Sequence, residues 1–333
     1  MNDILFSPIC FGERQLPERV IDILPDKAAL CTGDSLRAIR RSSAKLICTE
    51  RMPAVINEDK LITLHSLTDT AHDCGKFIFM HYAPDKKFRT LNLMRIMLHA
   101  AVTAAESSGF DGLCLELSGL PEYYAVRLIE ALCGLELTVM CRLGRDASHT
   151  LIRELRSAGA DLICMDCPEP QDAGRLISSG ACDIVSPGRA LTADPDWCLK
   201  VKNGADSELR PCLGCELCRI DCMPPDDELN SAGTSKRIAV VGGGIYGMSL
   251  ALYAARRGHR VCIFERGKRL GGSSDLRYVH WLTVQLSREK NFELRLNTEF
   301  GERSGDFELV LYAPEDGVLP DCGREAFERA RTF

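Results

Sequence analysis

The sequence predicts an α/β protein in three successive parts. Residues 1–205 read as a shortened (β/α) barrel of the TIM type, 206–235 as a cysteine cluster segment with a linker, and 236–333 as a truncated Rossmann-like dinucleotide-binding domain. Three observations carry this reading. Over the first 200 residues, short apolar runs alternate with amphipathic stretches. Four cysteines then crowd into RPCLGCELCRIDCMPP, and behind them a glycine turn, VVGGGIYG, follows directly on an apolar run.

In the first part, strands are predicted at Val20–Leu24, Lys45–Thr49, Lys76–Tyr82, Asp111–Leu117, Leu137–Leu143, Asp161–Asp166 and Asp183–Ser186. Helical patterns fall between them; Leu91–Ser108, for instance, has apolar residues at 91, 94, 97, 98, 101 and 102. Near-continuous apolar strands separated by helices argue for a parallel sheet buried on both faces. Repeated units of this kind point to a barrel, yet only seven strands are readable, which leaves its closure open. The polar stretch ELNSAGTSK marks a boundary. Beyond it come a strand at Arg237–Val241, a glycine turn, a helix and a second strand at Val261–Glu265. A helix near Leu276–Arg288 and strands near Glu293–Phe300 and Phe307–Tyr312 complete the chain. No internal repeat is evident.

Composition excludes several classes of function. A net charge of −6 gives no basic footprint for nucleic acid. No run approaches 18 apolar residues, so no membrane span is expected, and the opening MNDILFSPICFGERQ does not read as a signal peptide. The seventeen cysteines mostly sit singly inside apolar runs such as DGLCLEL and DLICMDC, as buried thiols do in a reduced, cytoplasmic protein.

The glycine turn is the strongest single motif. Gly242, Gly244 and Gly247 fit G-x-G-x-x-G between an apolar strand and a helix. The first glycine permits the tight turn, the second lets backbone approach a pyrophosphate, and the third lets helix and strand pack closely. The helix start offers N–H groups and a positive dipole end. Glu265, 18 residues after Gly247, closes the next strand, where a carboxylate can accept from ribose hydroxyls. The other reading is a turn retained after binding was lost. Gly271 and Gly272, soon after the acid, favour FAD over NAD. The roughly 98 residues from 236 to 333 hold one dinucleotide, or its ADP half, and no separate nicotinamide module.

Cys212, Cys215, Cys218 and Cys222 stand at C-x2-C-x2-C-x3-C, the spacing of bacterial ferredoxins. A [4Fe–4S] cluster is the first reading. A structural zinc in four thiolates is the second, and unmetallated thiols in a turn the third.

The order of these parts resembles the iron–sulfur branch of the old yellow enzyme-like NADH:flavin oxidoreductases, such as 2,4-dienoyl-CoA reductase, enoate reductases and trimethylamine dehydrogenase. Four stretches carry the resemblance: ILFSPICFGERQLPERV, SGFDGLCLEL, IVSPGRALTADPDWCLKVKNGADSELRPCLGC and AVVGGGIYGMSLALYAARRGHRVCIFERGKRLGG. It implies FMN at the C-terminal mouth of the barrel, a cluster beside it, and FAD in the last domain. Carried over by position, Gly188 and Arg189 would hold the FMN phosphate, and Arg142 would face the flavin's pyrimidine edge. The alternative for Arg142 is an ion pair at a strand end.

The departures matter equally. Where the family carries a substrate-binding His-x-x-His/Asn pattern, this chain reads LELSGLPEYY, with Glu116 and Gly119 at the two positions. Tyr123, Tyr124 and His81 are the remaining catalytic candidates, the last standing where the family has Gln. The family's seventh strand and its Gly-Gly are missing between DLICMDC and PEPQDAGRLISSG, which counts against FMN. The family's fourth cluster ligand lies about a dozen residues further on; here Cys222 would replace it. Two readings of function follow. One is a flavin- and iron–sulfur-dependent oxidoreductase, or a subunit of one, fed by an electron-donor protein. The other is a non-catalytic paralogue that carries electrons or supports structure, as a homo-oligomer or beside a complete homologous flavoprotein.

Overall fold

The computed structural model describes residues 2–11, 14–24, 33–52, 58–85, 90–212, 233–272, 276–301, 304–313, 326 and 329–332. The chain divides into two compact units, Met1–Asp206 and Ser207–Phe333.

The first unit opens with a 3-10 turn at Asn2–Phe6 and a hairpin of β1 (Ile9–Phe11) and β2 (Arg14–Leu16). Seven strands then alternate with helices. They are β3 (Ile21–Ile23), α1 (Gly33–Arg41), β4 (Leu46–Arg51), α2 (Glu58–Asp73), β5 (Phe77–Tyr82) and α3 (Leu91–Ser107). Next come β6 (Gly112–Glu116), α4 (Glu122–Glu130), β7 (Thr138–Leu143), α5 (His149–Ser157), β8 (Leu162–Asp166), α6 (Pro170–Ser178) and β9 (Ile184–Ser186). Two short helices, α7 (Arg189–Ala193) and α8 (Trp197–Lys202), end the unit.

All seven strands are parallel and lie in chain order from β3 to β9. A single parallel bridge, Val20 with Val185, joins the first strand to the last and closes the ring. The question left open by seven strands is therefore answered: the ring runs directly from β8 to β9 and still closes. Local chemistry agrees with the element ends. Ser148 caps α5 by accepting the Leu151 N–H at 3.0 Å, and Pro170 takes the first turn of α6, where its missing N–H costs nothing.

One device recurs at the N-terminal ends of the strands. Asp111, Asp161 and Asp183 each stand one residue before a strand, and each accepts an N–H from the strand alongside. The donors are Ile78, Val139 and Ile163, at 2.7, 2.7 and 2.8 Å. The three segments read GFDGLC, GADLIC and GACDIV, a short repeat that composition does not reveal. Inside the ring, Ile21, Ile23, Cys48, Phe79, Cys114, Met140, Cys164 and Ile184 form one core with Ile9 and Leu16 of the hairpin. Gly112 makes room for Phe79, since a Cβ there would lie 2.4 Å from the Phe79 ring.

The second unit is a parallel sheet flanked by helices: β10 (Arg237–Val241), α9 (Ile245–Arg256), β11 (Arg260–Glu265), α10 (Leu276–Arg288), β12 (Phe292–Leu296) and β13 (Leu309–Tyr312). Its strand order is β12-β11-β10-β13, the half-sheet of a dinucleotide fold. Helices α9 and α10 cover one face, with Tyr253, Tyr278, Trp281 and Leu282 buried there. On the other face Phe300 and Phe307, from the link between β12 and β13, meet Phe264 edge-on at 5.1 and 5.6 Å. The strand predicted at Glu293–Phe300 therefore ends early. Asn297 takes φ +52°, a conformation Asn tolerates, and turns the chain so that Phe300 reaches this second face. Among the described residues no helix is long and apolar enough to cross a membrane.

Candidate functional site

The second unit builds a cleft from its glycines. Gly242 follows β10 at φ +109°, and its N–H continues the ladder to the Phe264 carbonyl at 2.9 Å. Gly247 lies against it so closely that a Cβ would sit 2.0 Å from the Gly242 carbonyl oxygen. Only glycine lets α9 start this near the strand. Gly244 caps α9, and the first bond of the helix runs from the Met248 N–H to its carbonyl at 2.9 Å. The first N–H groups of α9 have no partner within the helix, and this end of it carries the positive pole of the helix dipole.

Glu265, the last residue of β11, faces this turn. One carboxylate oxygen accepts the Gly243 N–H and the other the Gly267 N–H, both at 2.6 Å. Each oxygen keeps a further lone pair, so the acid is held in place without being used up. The segment after it folds back over the turn: the Gly271 N–H donates to the Gly243 carbonyl at 2.7 Å. Gly271 and Gly272 both take positive φ, +86° and +55°. The resulting cleft, about 1030 Å³, is lined by Gly242–Gly244, Glu265, Arg269, Thr298, Phe300 and Tyr312. It opens where β10 and β13 lead away in opposite directions across the sheet, the switch point at which such folds bind ligands. Sequence reasoning missed Phe300 and Tyr312 because their approach depends on the turn at Asn297.

The C-terminal mouth of the barrel is built differently. His81, Glu116, Arg142 and Asp166 lie at the last or second-last position of four consecutive strands, β5 to β8. Arg142 reaches both neighbours: Nη1 lies 2.9 Å from Glu116, Nη2 2.7 Å from Asp166, and Nε 3.3 Å from the second Asp166 oxygen. Burial opposes the charge of this guanidinium, but the bond to Asp166 and the charges of Asp166 and Glu116 outweigh it and raise its pKa further. His81 is buried, with Nε2 3.9 Å from Glu116. The partner on β8 was legible in principle: an acid ends the strand on either side of Arg142. Arg145, just beyond β7, donates to the Asp166 carbonyl and to the Cys167 thiol, both at 2.8 Å.

The other predicted residues fall apart from this group. The Gly188 N–H donates to Ser186 Oγ at 3.2 Å, and Arg189 is exposed at the start of α7. Tyr123 is 60% exposed on α4, with the Arg127 guanidinium 5.4 Å from its ring, and Tyr124 packs beside it at 6.0 Å. Cys212 is half-buried and in no disulfide; Cys215, Cys218 and Cys222 lie outside the described residues. Among the described residues no group of three His, Cys, Asp or Glu is arranged to hold a metal ion.

Comparison with known proteins bears on both units. The profile of the FAD dependent oxidoreductase family matches residues 237–331, the unit that carries the glycine cleft. An NADH oxidase from Thermoanaerobacter brockii is 32% identical over 186 residues, covering 47% of this chain and 28% of that protein. A bilirubin reductase from Mediterraneibacter gnavus is 29% identical over 176 residues, covering 46% of this chain and 27% of that one. Over about half of its length the chain thus resembles oxidoreductases of the old yellow enzyme-like kind. It spans little more than a quarter of the curated relatives it matches. The fold likeness is wider. Histamine dehydrogenase from Rhizobium sp. 4-9 superposes with a TM-score of 0.74 over 95% of this chain and 70% of its own, at 17% identity.

Proposed function

We propose that this chain is an electron-transfer flavoprotein component of the family, with FAD in the C-terminal cleft and a [4Fe–4S] cluster at Cys212, Cys215, Cys218 and Cys222. The observation that carries the flavin part is the cradle at Gly242–Gly247, where a side chain at Gly247 would overlap backbone. A pyrophosphate would lie on the start of α9, and Glu265 would accept from the adenosine ribose. When bound, FAD takes up electron pairs and releases single electrons. The four thiolates supply the donor set of a cluster, and the same four suit a structural zinc.

The second reading, an electron-carrying subunit without substrate chemistry of its own, gains from the barrel mouth. There Glu116 and Asp166 occupy Arg142, and the family's substrate histidines are absent. In either reading a partner protein supplies the electrons.

Purified protein tests this. FAD at about one per chain, with iron and acid-labile sulfide in roughly equal amounts and a visible spectrum bleached by dithionite, is the expected result. Reoxidation by an enoate would favour the enzyme over the carrier. Colourless protein without flavin would sink the proposal, and zinc in place of iron would sink its relay.

A further inference from the structure

We infer that the barrel of this chain does not hold FMN: the cation and the backbone donor that family position assigns to it are spent within the protein, and two carboxylates stand at its mouth. A flavin phosphate is a dianion, and a reduced flavin adds negative charge at the pyrimidine edge. Both need uncommitted donors. Arg142 directs Nη1 to Glu116 and the Nη2–Nε edge to Asp166, so its bidentate face is occupied. The charge of the cluster is one arginine against two carboxylates, which repels an anion.

The phosphate side fares no better. Gly188 gives its N–H to Ser186 Oγ, and the ring passes from β8 to β9 with no strand between to carry a second glycine pair. Arg189 is exposed, where a lone charge–charge contact contributes about 1 kcal/mol or less. Arg145 is turned toward the Asp166 carbonyl and Cys167. Beneath the mouth, the bore is packed with Cys48, Phe79, Cys114, Met140 and Cys164. In this chain Glu116, at the position where the resemblance places a histidine, has already claimed the arginine.

This inference stands apart from the FAD proposal, because the two sites lie in different units. The test is equilibrium dialysis of the full chain against FMN, first with the C-terminal cleft saturated by FAD. The expected result is no FMN beyond the free concentration, with binding at least about 100-fold weaker than that of FAD. If FAD itself fails to bind, the dialysis with FMN alone reads the barrel. One equivalent of FMN whose affinity falls about tenfold or more in Arg142→Gln would overturn the inference. No FMN upholds it, and one equivalent of FMN that persists in Arg142→Gln with the cleft saturated by FAD overturns it as well. Circular dichroism of the variant establishes that it is folded.

Discussion

The glycine cleft and the barrel mouth both lie at the C-terminal ends of parallel strands, where α/β proteins place their chemistry, yet they are built on opposite principles. The cleft is built by leaving side chains out: Gly242, Gly244 and Gly247 bring backbone close and add no side chain that could fill the space. The mouth satisfies its donors internally, with Glu116 and Asp166 on either side of Arg142. Removal of side chains leaves a site that waits for a ligand. Addition of a carboxylate at a histidine's place makes one that is complete without it.

Gly247→Ala gives the largest effect that bears on this contrast. Its Cβ would meet the Gly242 carbonyl oxygen at 2.0 Å, and that oxygen is backbone, so the loop must move. FAD affinity should fall by about 100-fold or more by fluorescence titration, and undiminished affinity would mean the cleft is not the flavin site. Arg142→Ala attacks the other side. It strips two carboxylates of their partner and should destabilise the barrel by roughly 1.5–3 kcal/mol in urea unfolding. A neutral result would show that the mouth is not locked.

A third test sits at the barrel's far end. Glu18 is buried, and this desolvation raises its pKa to about 6 against the opposing pull of the Lys45 N–H and nearby lysines. A carboxyl raised on folding contributes stability that is full below its unfolded pKa of about 4.5 and is lost as pH rises through about 6. Asp22, also buried, shifts in the same direction, while Lys76 beside them is lowered by burial. The barrel should be more stable at pH 5 than at pH 7 by about 1 kcal/mol on account of Glu18. Glu18→Gln should flatten that slope in urea melts. The smallest effect belongs to Tyr123→Ala on the exposed face of α4, within about 0.5 kcal/mol and without change in flavin content.

Much of this was legible before any coordinates. The glycine motif, its strands and the helix at Leu276–Arg288 emerge as predicted, because periodicity and glycine spacing are local signals. All seven barrel strands fall within the predicted runs or overshoot them by two residues at most, as Leu46–Arg51 does. What stayed hidden depends on register. Arg142 meets Glu116 because β6 and β7 pair those two positions directly, and no window of sequence contains both. Phe300 reaches Phe264 only because Asn297 turns the chain. The recurring aspartates were hidden for a simpler reason: the segments share only a glycine and an aspartate, and Asp183 stands one residue further from its glycine than Asp111 and Asp161 do from theirs.

The bridge between Val20 and Val185 has a dynamic consequence. Six of the seven seams of the ring are ladders, whereas this one joins two three-residue strands through one bridge and the N–H of Val185 to the Arg19 carbonyl at 2.9 Å. Opening it sacrifices little pairing, so the barrel's least costly excursion is a split along this line. The barrel behaves as a curled sheet held by a clasp, and amide exchange at Val185 measures how often the clasp comes undone.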